Sequence, residues 1–379
     1  MDFNGILAFV THLKISVDIM FCLRYTILVT FCVTMSNKKR KELHAMSTKT
    51  VLLALLHEKN GSFVSGQDIA SRLGVSRNAI WKAVKSLQEQ GFEVESQAGV
   101  GYRLAAERDI ISKDVLADEI KYPCSIHVFD KIDSTNNYAK KIEACKTPQL
   151  IIASEQTAGR GRLGRSFYSP AEKGIYMSIA FEPDFDLDKS LFVTTLSAVA
   201  ACRAIEDVAG LRPKIKWVND IYLDGRKLAG ILTEAESNFE SGRIQKIIVG
   251  IGINCFSCDL PEQIRDIAAC LEQDTSSFTR NKLIASFCNR FFEMISNFDQ
   301  SKILREYKNR SFILGEQILI YNPAIARQIG RPGERLHDGI RARAIDIDEN
   351  GGLVVEYLEG RMSRQMQTLT SGEISIRKV

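Results

Sequence analysis

The 379 residues allow two or three domains, and 45% hydrophobic with 25% charged residues is the balance of an ordinary globular protein. A net charge of only +4 means that any nucleic-acid contact must come from a local basic surface. Nine cysteines without framework spacing read as reduced thiols, and five histidines without an HExxH pair exclude the common zinc hydrolase pattern.

Residues 1–47 conform to no domain. Residues 15–35 are mostly apolar and are followed by Lys38-Lys39-Arg40-Lys41, the order of a membrane anchor with positive charge inside. Asp18 and Arg24 interrupt the run, each at a cost of roughly 2.5–3.5 kcal/mol at a bilayer centre. The preferred reading is an upstream stretch, disordered or untranslated, with the start at Met35 or Met46 rather than Met1, and no membrane role.

Residues 48–104 are compact and helical, then alternating. Ser65-Gly66-Gln67-Asp68 has capping-box spacing with Asp68 in the usual Glu position, and it opens a short helix over 69–73. Gly74 supplies a left-handed stop, and Ser76 caps a second helix to about residue 90. Ile80, Val84 and Leu87 form its core face; Asn78, Lys82 and Lys85 form the opposite one, with Arg77 at its start. An Asn and Lys face can reach base edges and phosphates in a major groove. Phe92-Glu93-Val94 and Tyr102-Arg103-Leu104 flank Gly99-Val100-Gly101 as a wing, where Arg103 faces the DNA backbone. Trp81 is read as packing. The plain alternative is a helical protein-interaction domain with a solvated Lys face.

Residues 105–113 are polar and read as a linker. Residues 114–309 alternate helical and strand-like stretches, an α/β core. In it, Ser134 and Thr135 precede a helical stretch over 138–142 and read as its N-cap. Leu150-Ile151-Ile152-Ala153 is a buried strand leading into Gly159-Arg160-Gly161-Arg162-Leu163-Gly164-Arg165. The glycines satisfy GxGxxG, but strand-like residues 175–181 follow where a dinucleotide fold needs a helix. Three arginines on a flexible loop suit closure over an anion instead. Cys255 and Cys258 form a CxxC without a second pair, so buried thiols are expected rather than zinc. Residues 310–379 show short strands at 317–321, 340–346, 353–358, 362–368 and 373–377, read as a small β-barrel.

The Gly-Arg loop resembles the GRGRxGR loop of biotin protein ligases. Asp133-Ser134-Thr135-Asn136 resembles that family's DSTN element, and Lys216-Trp217-Val218-Asn219-Asp220 its KWPND, with Val218 for proline. Arg226-Lys227-Leu228-Ala229-Gly230-Ile231-Leu232, Gly250-Ile251-Gly252-Ile253-Asn254 and Gly372-Glu373-Ile374-Ser375-Ile376-Arg377 resemble further family segments, in the family's order from about Thr48 to the end. The resemblance implies an α+β protein: winged helix-turn-helix, central mixed α/β domain of class II synthetase type, and C-terminal SH3-like barrel. It implies ATP and Mg²⁺-dependent conversion of biotin to biotinyl-5′-AMP, the metal being carried by ATP. Transfer to a lysine of the biotin carboxyl carrier protein of acetyl-CoA carboxylase would follow, with repression at an operator by an adenylate-induced homodimer in the cytoplasm.

The catalytic residues implied are Arg162, Lys227 and Lys216. Biotin contacts fall on Ser134, Thr135, Asn136, Gln156, Gly159, Arg160, Gly161, Arg162, Lys227 and Gly230. Adenylate contacts fall on Arg160, Arg162, Arg165, Asn219, Lys227, Asn254 and Arg377. DNA contacts fall on Arg77, Asn78, Lys82, Lys85 and Arg103. Two rivals are a biotin-sensing repressor without transfer and a lipoate ligase. The adenine-covering segment within 254–273 has no tryptophan, and the 327–343 insertion has no functional account.

Overall fold

The computed structural model describes residues 48–59, 61–89, 92–104, 109–143, 146–183, 190–237, 244–256, 260–271, 278–321, 339–359, 363–370 and 375–378. The apolar stretch 15–35, the start codons, Cys258 and residues 327–338 of the insertion fall outside them. The chain divides into two compact units, before and after Asp109.

The first unit comprises α1 (Thr48–Glu58), α2 (Gly66–Leu73), α3 (Arg77–Glu89) and the antiparallel ribbon β1 (Val94–Gln97) with β2 (Gly101–Leu104). Ser65 caps α2 by accepting from the Gln67 amide at 3.2 Å, and Gly74 ends it at φ 66°. The helix starts three residues before the expected 69, because its first turn is polar and carries no apolar period. Leu52, Leu56, Ile69, Ile80 and Leu87 make the core. Gly101 lets the wing lie on the strand-like residue before α2: its backbone has φ 137°, and a Cβ there would sit 2.0 Å from the Val64 carbonyl oxygen. Trp81 departs from the packing expectation, since it lies outside the core and is 50% exposed.

The second unit centres on a seven-stranded sheet. It contains β3 (Ser125–Ile132), β4 (Gln149–Gln156), β5 (Gly174–Phe181), β6 (Lys214–Lys216), β7 (Asp220–Leu223), β8 (Arg226–Ser237) and β9 (Ile244–Asn254). Their order is β3-β4-β5-β9-β8-β7-β6. Only β3 and β4 are parallel. That pair needs a crossover, which α5 (Thr135–Lys141) supplies after α4 (Lys113–Glu119) has entered the unit. Alternation along β4 sends Leu150 and Ile152 into the main core, and Ile151 to the other face, beside Ala139 of α5.

The main core packs beneath α6 (Ser190–Ala209), α8 (Arg280–Ser296) and α9 (Gln300–Arg310), with the single turn α7 (Glu262–Arg265) at the side. Small residues Ala198, Ala200, Ala201 and Ala204 of α6 are fully buried. The incoming chain is pinned at Asp109, whose carboxylate accepts from the Arg280 amide and side chain at 3.0 Å.

The C-terminal strands β10 (Gln317–Tyr321), β11 (Ile340–Ile347), β12 (Leu353–Tyr357), β13 (Met366–Leu369) and β14 (Ser375–Lys378) form an antiparallel sheet ordered β13-β12-β11-β10-β14. It shares one continuous core with the central sheet. Two polar ties reinforce the join: the Trp217 indole donates to the Gly351 carbonyl, and the buried Tyr307 hydroxyl donates to the Val218 carbonyl, each at 2.9 Å. Among the described residues no helix is long and apolar enough to cross a membrane.

Candidate functional site

A cleft opens above the middle of the central sheet, at the ends of β8 and β9, the start of α5 and the Gly-Arg loop. Twelve of the expected site residues line it: Ser134, Thr135, Asn136, Gln156, Arg160, Gly161, Arg162, Arg165, Lys216, Asn219, Lys227 and Gly230. Gly159 is buried beside it, where a Cβ would come within 2.4 Å of the Phe167 carbonyl oxygen. Asn254 lies elsewhere: its amide donates to the Ala269 carbonyl at 3.1 Å, tying down the segment after α7. Arg377 sits on β14 opposite Leu319 in the C-terminal sheet.

One end of the cleft is a network of neutral polar groups. The Gln156 carbonyl oxygen accepts from the Thr135 amide at 2.9 Å and from its hydroxyl at 3.2 Å, while its amide nitrogen donates to Ser169 at 3.0 Å. Ser178, fully buried on β5, hydrogen bonds to Thr135 at 2.7 Å and donates to Asn136 at 2.6 Å. Ser134 occupies the cap position of α5 without a side-chain cap bond. The capping role read from the sequence is therefore not made by the hydroxyl. Ser134, Thr135 and Asn136 are nonetheless buried at the helix start and line the cleft. Gly250 is required by close approach, since a Cβ would lie 2.1 Å from the Asn136 side-chain oxygen. Gly252 likewise makes room for the Phe167 ring at 2.4 Å.

The other end is cationic. The Gly-Arg loop turns back on itself through the bond from the Gly161 amide to the Arg165 carbonyl at 2.7 Å, with one 3₁₀ turn at Arg162–Gly164 in place of a dinucleotide-binding helix. Gly164 has φ 71°, a left-handed turn that suits glycine. Arg162 reaches across to the Asn219 side-chain oxygen at 3.1 Å, and Asn219 is fixed in turn by donating to the Ile231 carbonyl at 2.7 Å. Burial pushes the Arg162 guanidinium below its ordinary value, partly offset by the Asp220 carboxylate. Arginine still keeps its charge at neutral pH. The Lys227 ammonium pairs with Asp220 at 2.6 Å, and Lys216 lies 5.5 Å from the Tyr222 ring centre. Asp220 is the one carboxylate among the described lining residues.

A second layer was not read from the sequence. Glu234 of β8 accepts from Asn136 at 2.9 Å and from Lys140 at 2.8 Å, and Arg160 approaches it at 3.7 Å. The strand's period of two, continued from Gly230 through Leu232, points to this residue. Ser178 left a fainter mark, as the one serine within an otherwise apolar and aromatic buried strand.

In the first unit, Arg77, Asn78, Lys82 and Lys85 are all exposed along α3. Arg103 is engaged within the wing, bonded to Glu95 at 2.7 Å with its guanidinium 4.6 Å from the Phe63 ring centre. The Cys255 thiol is fully buried and pushed far up by that burial, which agrees with an inert thiol.

A cleft with an amide-rich end and a cationic end, on a sheet of this order, defines a ligase that activates a carboxylate. The chain belongs to the biotin protein ligase family. The biotin/lipoate A/B protein ligase family pattern covers residues 128–254, an HTH domain pattern residues 48–103, and a biotin protein ligase C-terminal domain pattern residues 333–377. The bifunctional ligase/repressor BirA of Bacillus spizizenii is 33% identical over 320 residues, covering 82% of this chain and 94% of that protein. BirA of Escherichia coli K12 is 29% identical, covering 76% and 92%. The biotin protein ligase of Aquifex aeolicus, solved with biotin and ATP, superimposes with a TM-score of 0.54 at 25% identity, over 67% of this chain and 99% of that one.

Proposed function

We propose that this chain joins biotin to a carrier-protein lysine at the expense of ATP, and that its helix-turn-helix unit represses transcription when biotinyl-5′-AMP is bound. In the first step the biotin carboxylate attacks the α-phosphorus of ATP and expels pyrophosphate. In the second, a lysine amine of the carboxyl carrier protein attacks the acyl carbon, loses a proton and expels AMP. The observation that carries the reading is the juxtaposition in one cleft of the Thr135–Gln156–Ser178 network with Arg162 and Lys227.

Ser134, Thr135, Asn136 and Gln156 supply the donors and acceptors that a urea-like ring needs. Gly159, Gly161 and Gly230 leave room beside it. Arg160, Arg162, Arg165 and Lys227 offset charge on the phosphates and on the attacking carboxylate, and Lys216 adds to that field. Asn219 aims Arg162, and Asp220 holds Lys227. Asn254, off the cleft lining, ties down the segment after α7, and Arg377 lies on a strand of the C-terminal sheet rather than on the cleft lining. Mg²⁺ carried by the triphosphate would supply Lewis-acid help there; among the described lining residues the one carboxylate, Asp220, is paired to Lys227. Arg77, Asn78, Lys82, Lys85 and Arg103 face operator DNA.

Domain limits of 48–104, 114–309 and 310–379 with a linker at 105–113, an SH3-like closure of the C-terminal strands, and adenylate-dependent homodimerisation complete the proposal. The proposed use of ATP and operator DNA goes with a cytoplasmic location. The test is the purified chain with ATP, Mg²⁺, biotin and a biotin-carrier domain, read by carrier mass. An ATP-dependent gain of one biotinyl group is expected. Biotin binding without transfer would make the chain a sensor alone; transfer of lipoate instead of biotin would overturn the substrate.

A further inference from the structure

The residues 78, 81, 82 and 85 of α3 are spaced i, i+3, i+4 and i+7, so Asn78, Trp81, Lys82 and Lys85 form one stripe. All four are exposed, while Ile80, Ala83, Val84 and Leu87 are buried on the opposite side. Trp81 is the largest exposed hydrophobic side chain among the described residues, at 50%. Its indole has the Lys85 ammonium 6.0 Å from the ring centre. No acidic residue occurs on α3 before Glu89, and Arg77 stands at its start. An aromatic ring framed by cations and an amide is complementary to a surface that is anionic at its rims and presents apolar groups between them. The major groove is such a surface, with phosphates on both walls and thymine methyls on its floor.

We infer that Trp81 is a base-contacting residue of the repressor, its indole covering a thymine methyl while Lys82 and Lys85 hold the flanking phosphates. This rests on the DNA-binding reading of the first unit. It assigns sequence preference to the one apolar member of the stripe.

The test begins with a duplex enriched from a random pool by the wild-type chain in the presence of biotin, ATP and Mg²⁺. Wild type, Trp81→Ala and Trp81→Phe are then titrated onto it at several salt concentrations, at matched adenylate loading. Trp81→Ala is expected to weaken binding about tenfold, as for a lost base contact. Its salt slope is expected to stay that of wild type, because no phosphate contact is removed. Trp81→Phe keeps an apolar ring and recovers most of the affinity. Replacing thymines of the duplex by deoxyuracil, one at a time, should at one position weaken wild type and leave Trp81→Ala unaffected. Equal affinity of wild type and Trp81→Ala would overturn the inference. So would a loss that tracks a change in oligomeric state, which would place Trp81 at a protein interface. Failure of the wild type to enrich any duplex would instead overturn the DNA-binding reading itself.

Discussion

At the residue scale the site separates into groups that are aimed and groups that do the aiming. Arg162 is half-buried and already oriented by Asn219, so little conformational freedom remains to be lost when an anion arrives. A charge-assisted hydrogen bond of this kind contributes about 1.5–3 kcal/mol. Arg162→Ala is therefore expected to release biotinyl-adenylate roughly ten- to a hundredfold faster while retaining the fold. Release of labelled adenylate after dilution measures it, and an unchanged rate would remove Arg162 from the adenylate site. Glu234 does the aiming on the other side, joining Asn136, Lys140 and Arg160. Burial pushes its carboxyl up, but the bonds from Lys140 and Asn136 outweigh that and hold it below the ordinary value. Its contribution to stability is thus complete above the unfolded value of about 4.3 and drains away as pH falls through the lower native one. In urea unfolding between about pH 3 and 6, Glu234→Gln is expected to be less stable than wild type at the upper end and to show a flatter acid limb.

At the scale of elements, α5 is held at both ends. Its first residues line the cleft, while Lys246 of β9, itself 4% exposed, donates to the carbonyls of Ala139, Lys140 and Ile142 at its far end. A cation at a helix C-terminus satisfies orphan carbonyls and opposes the helix dipole. Lys246→Met leaves those carbonyls unpaired and is expected to cost about 1–3 kcal/mol in urea unfolding. It should also raise the KM for biotin, because the helix start shifts with the helix; a normal KM alongside the stability loss would confine Lys246 to a structural role.

None of this brace was legible in the sequence, because Lys246 meets α5 across roughly a hundred intervening residues and leaves no local period. What was legible follows from local rules. Ser65, Gly74 and Ser76 mark helix ends by side-chain chemistry, and strands such as 175–181 announce themselves by continuous apolar runs. The Gly-Arg loop with Arg162 was legible from its own residues as an anion-closing loop, and the rest of the cleft only as ordered family motifs, which located Lys227 but neither Ser178 nor Glu234. Trp81 is exposed although large aromatics usually pack, because its spacing from Asn78, Lys82 and Lys85 sets it on the polar stripe and not on the core face of α3.

At the scale of the molecule, the charge is nearly balanced. A net charge of +4 spread over 379 residues gives no general attraction to a polyanion, so DNA affinity needs a local basic surface, and the proposed one is the exposed face of α3. Lys82 and Lys85 are exposed there, and the core between them is carried by Ala83 and Val84, so both lysines can be shortened without opening a cavity. Each lysine that neutralises a phosphate adds about 0.9 to the slope of log K against log salt. The double variant Lys82→Ala with Lys85→Ala is accordingly expected to bind the enriched duplex more weakly at low salt, with a slope shallower by about 1.8. Weakening should be uniform across duplex sequences, because phosphates carry no base identity. Titration at four or more salt concentrations measures this directly. An unaltered slope would mean that α3 does not lie along the phosphates and that the wing or another surface carries the contact.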